Sequence, residues 1–497
     1  MQKLAKAGTC LAVTRTATCP DSAVAQGPTD MDRALVERLT TLAGISGRLD
    51  WETPDQASPV LADLEAIVAE FIASKHSAPA VTVGRERPPC DLTPVGLRQA
   101  LRELVEQISH SGIDTTNSRF LGYIPGGGLP AAAATNFITS LFNRYVGMAG
   151  AAPGAAALEN QALAWLIKLF KLPDAAWGTF TSGGSVATLT ALVAARDSAP
   201  LADRGRLICY MTDQSHYANK RALHVIGFPI ENIRIVPTDT AHRMDTQALS
   251  AMVEADKNLS LRPWVVIASA GTTNTGAIDP LERIAGLCES NGIWLHVDAA
   301  YGGMFMLVPE LIPTLLSISR ANSIVVDPHK GMFLPYGCGA VLVANGEHLR
   351  SALAAGATYL AGLESQAHRS PNDYSIELTR PSRGAQIWTV LKAYGEETIA
   401  GALEEKLLLA RLMQSYLHES GRFEVVKEQD LSIVTFRVPS GDLATNQLLA
   451  DLSRNGRYLL SSTVLNGQVF LRCCVLCFRT HKEDIDGLFA ELMRLVS

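Results

Sequence analysis

Ile293-Trp294-Leu295-His296-Val297-Asp298-Ala299-Ala300-Tyr301-Gly302-Gly303 is a short, nearly unbroken apolar run that ends on a carboxylate and a set of small residues. A run of this kind, rather than an alternating one, is the pattern of a strand buried on both faces of a mostly parallel sheet. Asp298 then falls at the C-terminal end of the strand, the edge at which open α/β sheets bind ligands. Reading outward, the same pattern recurs at 323–326, 264–269, 206–212, 233–236 and 339–344, with helical segments such as 185–196 and 281–290 between. That alternation predicts an α/β domain with helices on both faces of the sheet.

Further upstream, helical periodicity runs over 59–74 and from about 96 to 110. Two helices without strands cannot make a core, so they predict an N-terminal segment that packs on a partner subunit. Downstream of Arg383, a helical stretch to about Ser420 precedes strand patterns at 431–438, 458–462 and 469–476 and helical patterns at 446–455 and 483–495. These predict an α+β C-terminal domain. The expected division is a disordered tail over 1–30, a helical segment over 31–128, a large α/β domain over 129–388 and a small domain over 389–497.

Four features along this frame carry chemistry. In Val326-Asp327-Pro328-His329-Lys330-Gly331, a lysine follows an apolar strand where desolvation favours its neutral, nucleophilic amine. Alone, it reads equally well as a loop lysine. Asp298 alone reads as a helix cap or an ion-pair residue, but beside a lysine that binds an aldehyde it gains a defined role as partner of a pyridine nitrogen. Phe180-Thr181-Ser182-Gly183-Gly184-Ser185 opens a helix with glycines, which expose backbone N–H groups to a phosphate. It matches neither the dinucleotide fingerprint nor the P-loop. In Met211-Thr212-Asp213-Gln214-Ser215-His216, the imidazole lies just past a strand end, where it could stack on a flat ring or simply pack.

Taken together, this order of motifs resembles the group II pyridoxal-phosphate-dependent amino-acid decarboxylases, over roughly residues 120–496. The family includes aromatic L-amino-acid, histidine, glutamate and diaminobutyrate decarboxylases. The resemblance implies the aspartate-aminotransferase fold (PLP fold type I), pyridoxal 5′-phosphate as cofactor, an L-amino acid as substrate and a homodimer. It makes Lys330 the Schiff-base lysine, Asp298 the partner of the ring nitrogen and His216 the stacking residue. Gly183, Gly184 and Ser185 would hold the phosphate with His329 nearby, and Thr272, Thr273 and Ala300 would line the pocket. Tyr359 matches the tyrosine of the family's catalytic loop, which supplies the proton to Cα after CO₂ leaves and favours plain decarboxylation. Arg380 and Arg383 match basic residues after that loop. Tyr123, Gly126, Tyr145, Val146 and Arg472 are the candidate substrate residues. Gly126, Gly127 and Gly128 stand where the aromatic branch has side chains that meet the substrate, so the substrate side chain is not read from the family.

The bulk properties agree with a globular enzyme and exclude other classes. The 497 residues carry 43 basic and 49 acidic side chains, a net charge of −6 that gives no reason to expect nucleic acid as partner. No apolar run reaches the length of about 18–20 residues that a membrane span needs. The nine cysteines are odd in number and scattered, and Cys473, Cys474 and Cys477 sit in a predicted strand, so they read as core thiols and not as a metal site. A cytoplasmic location is expected. Transamination or decarboxylation-dependent oxidative deamination on the same cofactor, with Arg472 as a carboxylate clamp, is the alternative activity. An inactive pseudoenzyme is the remote one.

Overall fold

The computed structural model describes residues 54–74, 80–82, 92–109, 112–354, 365, 367–426 and 430–496. These fall into two compact units, one formed by the described residues up to Phe71 with Pro94–Arg102, the other by the remainder. In the first, Arg98 from the helix Leu97–Ser109 grips Asp63 of the helix Pro54–Ser74 through two bonds of 2.6 and 2.7 Å. The predicted tail lies outside the described residues.

The second unit is built around a seven-stranded sheet. Its strands in chain order are β1 (Trp177–Thr181), β2 (Leu207–Thr212), β3 (Ile233–Val236), β4 (Arg262–Ser269), β5 (Trp294–Asp298), β6 (Ser323–Val326) and β7 (Gly339–Val343). They lie side by side as β1-β7-β6-β5-β4-β2-β3. Only β7 runs antiparallel to its neighbours, so the other six send their C-terminal ends to one edge. Helices cover both faces, and β2, β6 and β7 are buried along their whole length. This is the predicted fold: an α/β sheet of PLP fold type I.

Two local patterns were missed in the sequence. β1 contains Gly178, an uncommon residue inside a strand, because a Cβ there would stand 2.2 Å from the Val341 carbonyl of β7. The strand predicted over 458–462 instead begins at Ser461 and ends at Leu465, paired with Gln468–Cys474. Asn466 and Gly467, at φ 49° and 77°, form the two-residue turn between them, a hairpin signal that outweighs the apolar Tyr458-Leu459-Leu460. With Glu424–Val425 and Ile433–Arg437 these strands make a four-stranded antiparallel sheet. The boundary expected at 388/389 falls inside the helical stretch Arg383–Glu419, which breaks at Gly395.

Candidate active site

The C-terminal edge of the large sheet opens into a cavity of about 460 Å³. Lys330 reaches it from the single turn Pro328–Gly331 that follows β6. Asp327 begins that turn, yet its side chain does not cap it. It faces Lys330, three residues on, with Oδ2 3.0 Å from Nζ. The sequence reading gave Lys330 apolar surroundings; the structure puts an almost fully buried carboxylate beside it.

Asp298 ends β5 and is pinned from two sides. Asn219 Nδ2 donates to Oδ2 at 3.0 Å, and the Ala300 amide donates to Oδ1 at 3.2 Å. Asn219 is fully buried and was missed in the sequence. Its signal was spacing: it follows His216 by three residues, on the same face of the helix Tyr217–Val225. His216 is the cap of that helix, its Nδ1 accepting the Ala218 amide at 3.3 Å, and it also lines the cavity. The cap makes Nδ1 an acceptor, which leaves the ring proton on Nε2. Burial holds the imidazole below its ordinary range, against the opposing pull of Asp298.

Gly183 caps the helix Gly184–Asp197 in a conformation, φ 152° and ψ 178°, that only glycine adopts readily. The neighbouring backbones close in around it. A Cβ on Gly184 would lie 2.9 Å from Asp327 Oδ2, and one on Gly339 would lie 2.5 Å from Gly183 Cα. His329 stands at the same place, with Nδ1 2.8 Å from the Cys338 carbonyl oxygen. A glycine cradle at a helix N-terminus, beside an imidazole and a lysine, fits a phosphate-bearing aldehyde cofactor. The unpartnered, buried Asp327 Oδ1 shows that the polar groups here are not yet satisfied within the protein.

Ser185, Thr272, Thr273 and Ala300 also line the cavity, as do Ser182, Ser269 and Tyr301, to which the sequence reading assigned no role. The Thr272 hydroxyl is engaged within its own turn, 3.0 Å from Thr275 Oγ1 and accepting from the Ala277 amide at 3.2 Å.

The candidate substrate residues are not brought together. Gly126 lies behind the lysine loop, where a Cβ would stand 2.0 Å from the His329 carbonyl oxygen. Its glycine is explained by close backbone packing and not by a missing substrate contact. Tyr123 is exposed at φ 51°. The Tyr145 hydroxyl is hydrogen-bonded to the Asn372 amide at 2.9 Å, and Val146 borders a different cavity, of about 520 Å³, with Asn143 and Arg144. Arg472 donates to the carbonyls of Thr273 and Asn274 and to Ser461 Oγ, and it does not line the active cavity. It braces the Thr273 loop from behind. Arg380 and Arg383 are braces as well, held by Glu159 and Glu377. Tyr359 lies outside the described residues. Cys473, Cys474 and Cys477 are buried free thiols. Among the described residues no group of three or more His, Cys, Asp and Glu side chains is placed to hold a metal.

His296 lies on β5 two residues before Asp298, fully buried, with Nδ1 on Ser323 Oγ at 2.8 Å and Nε2 without a partner. Burial lowers its pKa to about 4. Because the folded value is depressed, this histidine's contribution is complete above about pH 6.5 and is lost as the pH falls towards 4. Replacing His296 with Phe should flatten the stability profile between those limits by on the order of 3 kcal/mol. Urea unfolding at pH 7 and pH 4.5 measures it, and an unchanged slope would refute the assignment.

Known proteins resemble this chain in sequence and in fold. The family model described as the pyridoxal-dependent decarboxylase conserved domain matches residues 96–439. An aromatic-L-amino-acid decarboxylase of Bacillus atrophaeus is 33% identical over 404 residues, covering 79% of this chain and 83% of that protein. A phenylacetaldehyde synthase of Arabidopsis thaliana is 29% identical over 418 residues, 79% and 84% of the two chains. The crystal structure of Oryza sativa TDC with PLP and tryptamine superposes with a TM-score of 0.84 at 25% identity, covering 90% of this chain and 99% of that one.

Proposed function

The chain belongs to the pyridoxal-dependent decarboxylase family, and from that premise we propose roles for its residues and a substrate class. It is a PLP-dependent amino-acid carboxy-lyase that converts an L-amino acid to the amine and CO₂. The observation that carries the assignment of roles is the convergence of Lys330, Asp298, His216 and the Gly183–Ser185 cradle on one cavity. Lys330 is the attachment point for the cofactor, the helix N-terminus at Gly184 binds its phosphate, and His216 covers the ring and excludes water. When bound, the cofactor supplies an electron sink for the pair released as the carboxylate leaves. Asp298, fixed by Asn219 and Ala300, holds the proton of the ring nitrogen and keeps that sink charged. The commitment of Arg472 to the Thr273 and Asn274 carbonyls removes the sequence's candidate for a carboxylate clamp, which supports decarboxylation over amino transfer.

The substrate we propose is an aromatic L-amino acid, supported by the Bacillus relative at 33% identity. The Arabidopsis phenylacetaldehyde synthase motivates a second reading, in which the product is an aldehyde. Incubating the PLP-loaded protein with aromatic, acidic, basic and aliphatic L-amino acids, and measuring CO₂ and products by mass spectrometry, separates them. CO₂ matched by an aromatic amine is expected. Aldehyde in its place would establish the second reading, and turnover confined to an acidic or basic substrate would refute the aromatic one.

We also propose a homodimer. Phe137, Ile138, Leu141 and Phe142 are all exposed, between 46% and 64%, on the helix Pro130–Phe142. Such an apolar stripe is a feature of surfaces that another chain covers. Sedimentation of the active enzyme as a monomer would refute it. Among the described residues no helix is long and apolar enough to cross a membrane. The buried free cysteines support a reducing, cytoplasmic location, which fractionation of the activity tests.

A further inference from the structure

We propose that Arg479, in the small C-terminal domain, is a positioning residue for Lys330: it holds the glycine turn Gly126–Gly128 against the turn Pro328–Gly331 and so fixes where the amine stands. The inference rests on the reading of Lys330 as the attachment point for the cofactor. Its ground is a chain of contacts that starts at the arginine and ends at the lysine turn. Arg479 Nη1 donates to the carbonyl oxygen of Thr116 at 3.2 Å and to that of Gly127. Its guanidinium lies 4.2 Å over the Phe478 ring, which holds the donors in place. Both acceptors are backbone, so the grip of the arginine falls on the main chain. Gly127 is also where the turn packs on the small domain, since a Cβ there would stand 2.9 Å from Cys477 Sγ and from the Phe478 ring. One residue earlier the same turn meets the lysine turn: a Cβ on Gly126 would stand 2.0 Å from the His329 carbonyl oxygen. The grip and the contact fall on adjacent residues.

The far end of the lysine turn is tied to the same place. The Phe333 amide donates to the Lys330 carbonyl oxygen at 3.2 Å, and the Leu129 amide, just past the glycines, donates to the Phe333 carbonyl oxygen at 2.7 Å. Phe333 is buried and holds φ 60°, a left-handed conformation that a bulky side chain keeps only where its surroundings impose it. What imposes it here is the Leu129 amide on its carbonyl and the Phe478 ring, 5.9 Å from its own. Arg479 therefore bears on both ends of the turn that carries Lys330: through Gly126 at the start, and through Phe478 and Phe333 at the end. It does not line the active cavity, so it reaches the amine only through the backbone.

The test compares Arg479→Met, which keeps the stem and loses the donors, with Thr480→Val, both in the full chain. The Thr480 hydroxyl donates to the Ser118 carbonyl oxygen at 2.6 Å, an anchor of the same segment that touches neither the glycine turn nor the lysine turn. Each protein, stripped of cofactor, is mixed with pyridoxal 5′-phosphate, and the growth of the visible lysine-bound band is timed. That step joins Nζ to the aldehyde carbon and releases the aldehyde oxygen as water. Pyridoxamine 5′-phosphate, which has no aldehyde, measures binding of the same phosphate without Lys330. In Arg479→Met, attachment should slow by at least about tenfold and kcat should fall by roughly 10- to 100-fold, the scale set by a displacement of about 1 Å at a reacting group. KM and the affinity for pyridoxamine 5′-phosphate should stay within about twofold of native. Arg479→Lys, with a donor for one carbonyl, should fall between, and it carries the same comparison if Arg479→Met does not fold. Thr480→Val should melt lower but keep the native attachment rate and kcat. A native attachment rate in Arg479→Met and Arg479→Lys, the same slowing in Thr480→Val, or an equal fall in affinity for pyridoxamine 5′-phosphate would overturn the inference and leave Lys330 as the attachment point. A native protein that forms no visible band would overturn the reading of Lys330 itself, and the inference with it.

Discussion

Lys330→Arg retains a folded protein and lowers decarboxylation by more than about 10³-fold. The guanidinium keeps a cation beside Asp327, so the buried carboxylate is not left alone, an omission that costs about 3–5 kcal/mol in buried pairs. What it removes is the primary amine. A guanidinium stays protonated and cannot serve as the amine nucleophile that an aldehyde cofactor requires. Two measurements check this. The visible absorbance of the PLP-loaded protein should lose its lysine-bound band, and CO₂ release under saturating substrate should fall to background. A variant that keeps a tenth of the native rate would show that Lys330 is not the attachment point. Lys330→Ala is the less informative change, because lost charge pairing and lost chemistry would arrive together.

Gly126→Ala should be nearly as damaging, although the residue carries no reactive group. A Cβ there would stand 2.0 Å from the His329 carbonyl oxygen and 3.4 Å from that of Lys330. Backbone lies on both sides of the contact, so no side chain can rotate away. Overpacking of this kind costs roughly 1–3 kcal/mol in stability. Relief comes by moving the turn that carries His329 and Lys330, and a displacement of about 1 Å at a reacting group costs on the order of 10²-fold in rate. The expected variant therefore melts lower and turns over at roughly a hundredth of the native kcat. Gly401→Ala is the matched control, because a Cβ at that helical glycine meets nothing within 4 Å. It should leave turnover unchanged and raise stability by about 0.5–1 kcal/mol. If Gly126→Ala behaved like Gly401→Ala, the packing of the glycine turn against the lysine loop would not be what positions the amine.

The contrast between these two substitutions marks the limit of what could be read before the fold was known. Lys330 stands apart from the other lysines already in the sequence: it follows an apolar strand and shares a motif with His329. The sequence set Gly126 apart only as one of three consecutive glycines and a candidate substrate residue, and nothing in it shows the backbone that Gly126 meets and Gly401 does not. The meaning of Gly126 depends on what lies opposite, and its neighbour in space belongs to a turn far along the chain. Arg472 is the same case reversed. Its position on a strand near the end of the chain suggested a free guanidinium for a carboxylate, but the carbonyls of Thr273 and Asn274 already occupy it.

The sequence by itself determined most of the strands of the large sheet and placed Asp298, His216 and Lys330 at its edge. Strands of a parallel sheet buried on both faces are nearly continuous apolar runs, so Ile324 to Val326, and Leu295 and Val297 around the buried His296, identify themselves. Their C-terminal ends then locate Asp298, His216 and Lys330 without any knowledge of neighbours. These are local rules, written in periodicity over a few residues. The tertiary structure alone decided which polar groups meet: Asn219 on Asp298, Asp327 on Lys330 and His329, the Cys338 carbonyl on the imidazole, the backbone at Gly126. The physical reason is that a hydrogen bond or a steric contact between distant segments leaves no periodic trace. Its partners are chosen by burial, which obliges each enclosed polar atom to find whatever donor or acceptor the folded chain has carried to it.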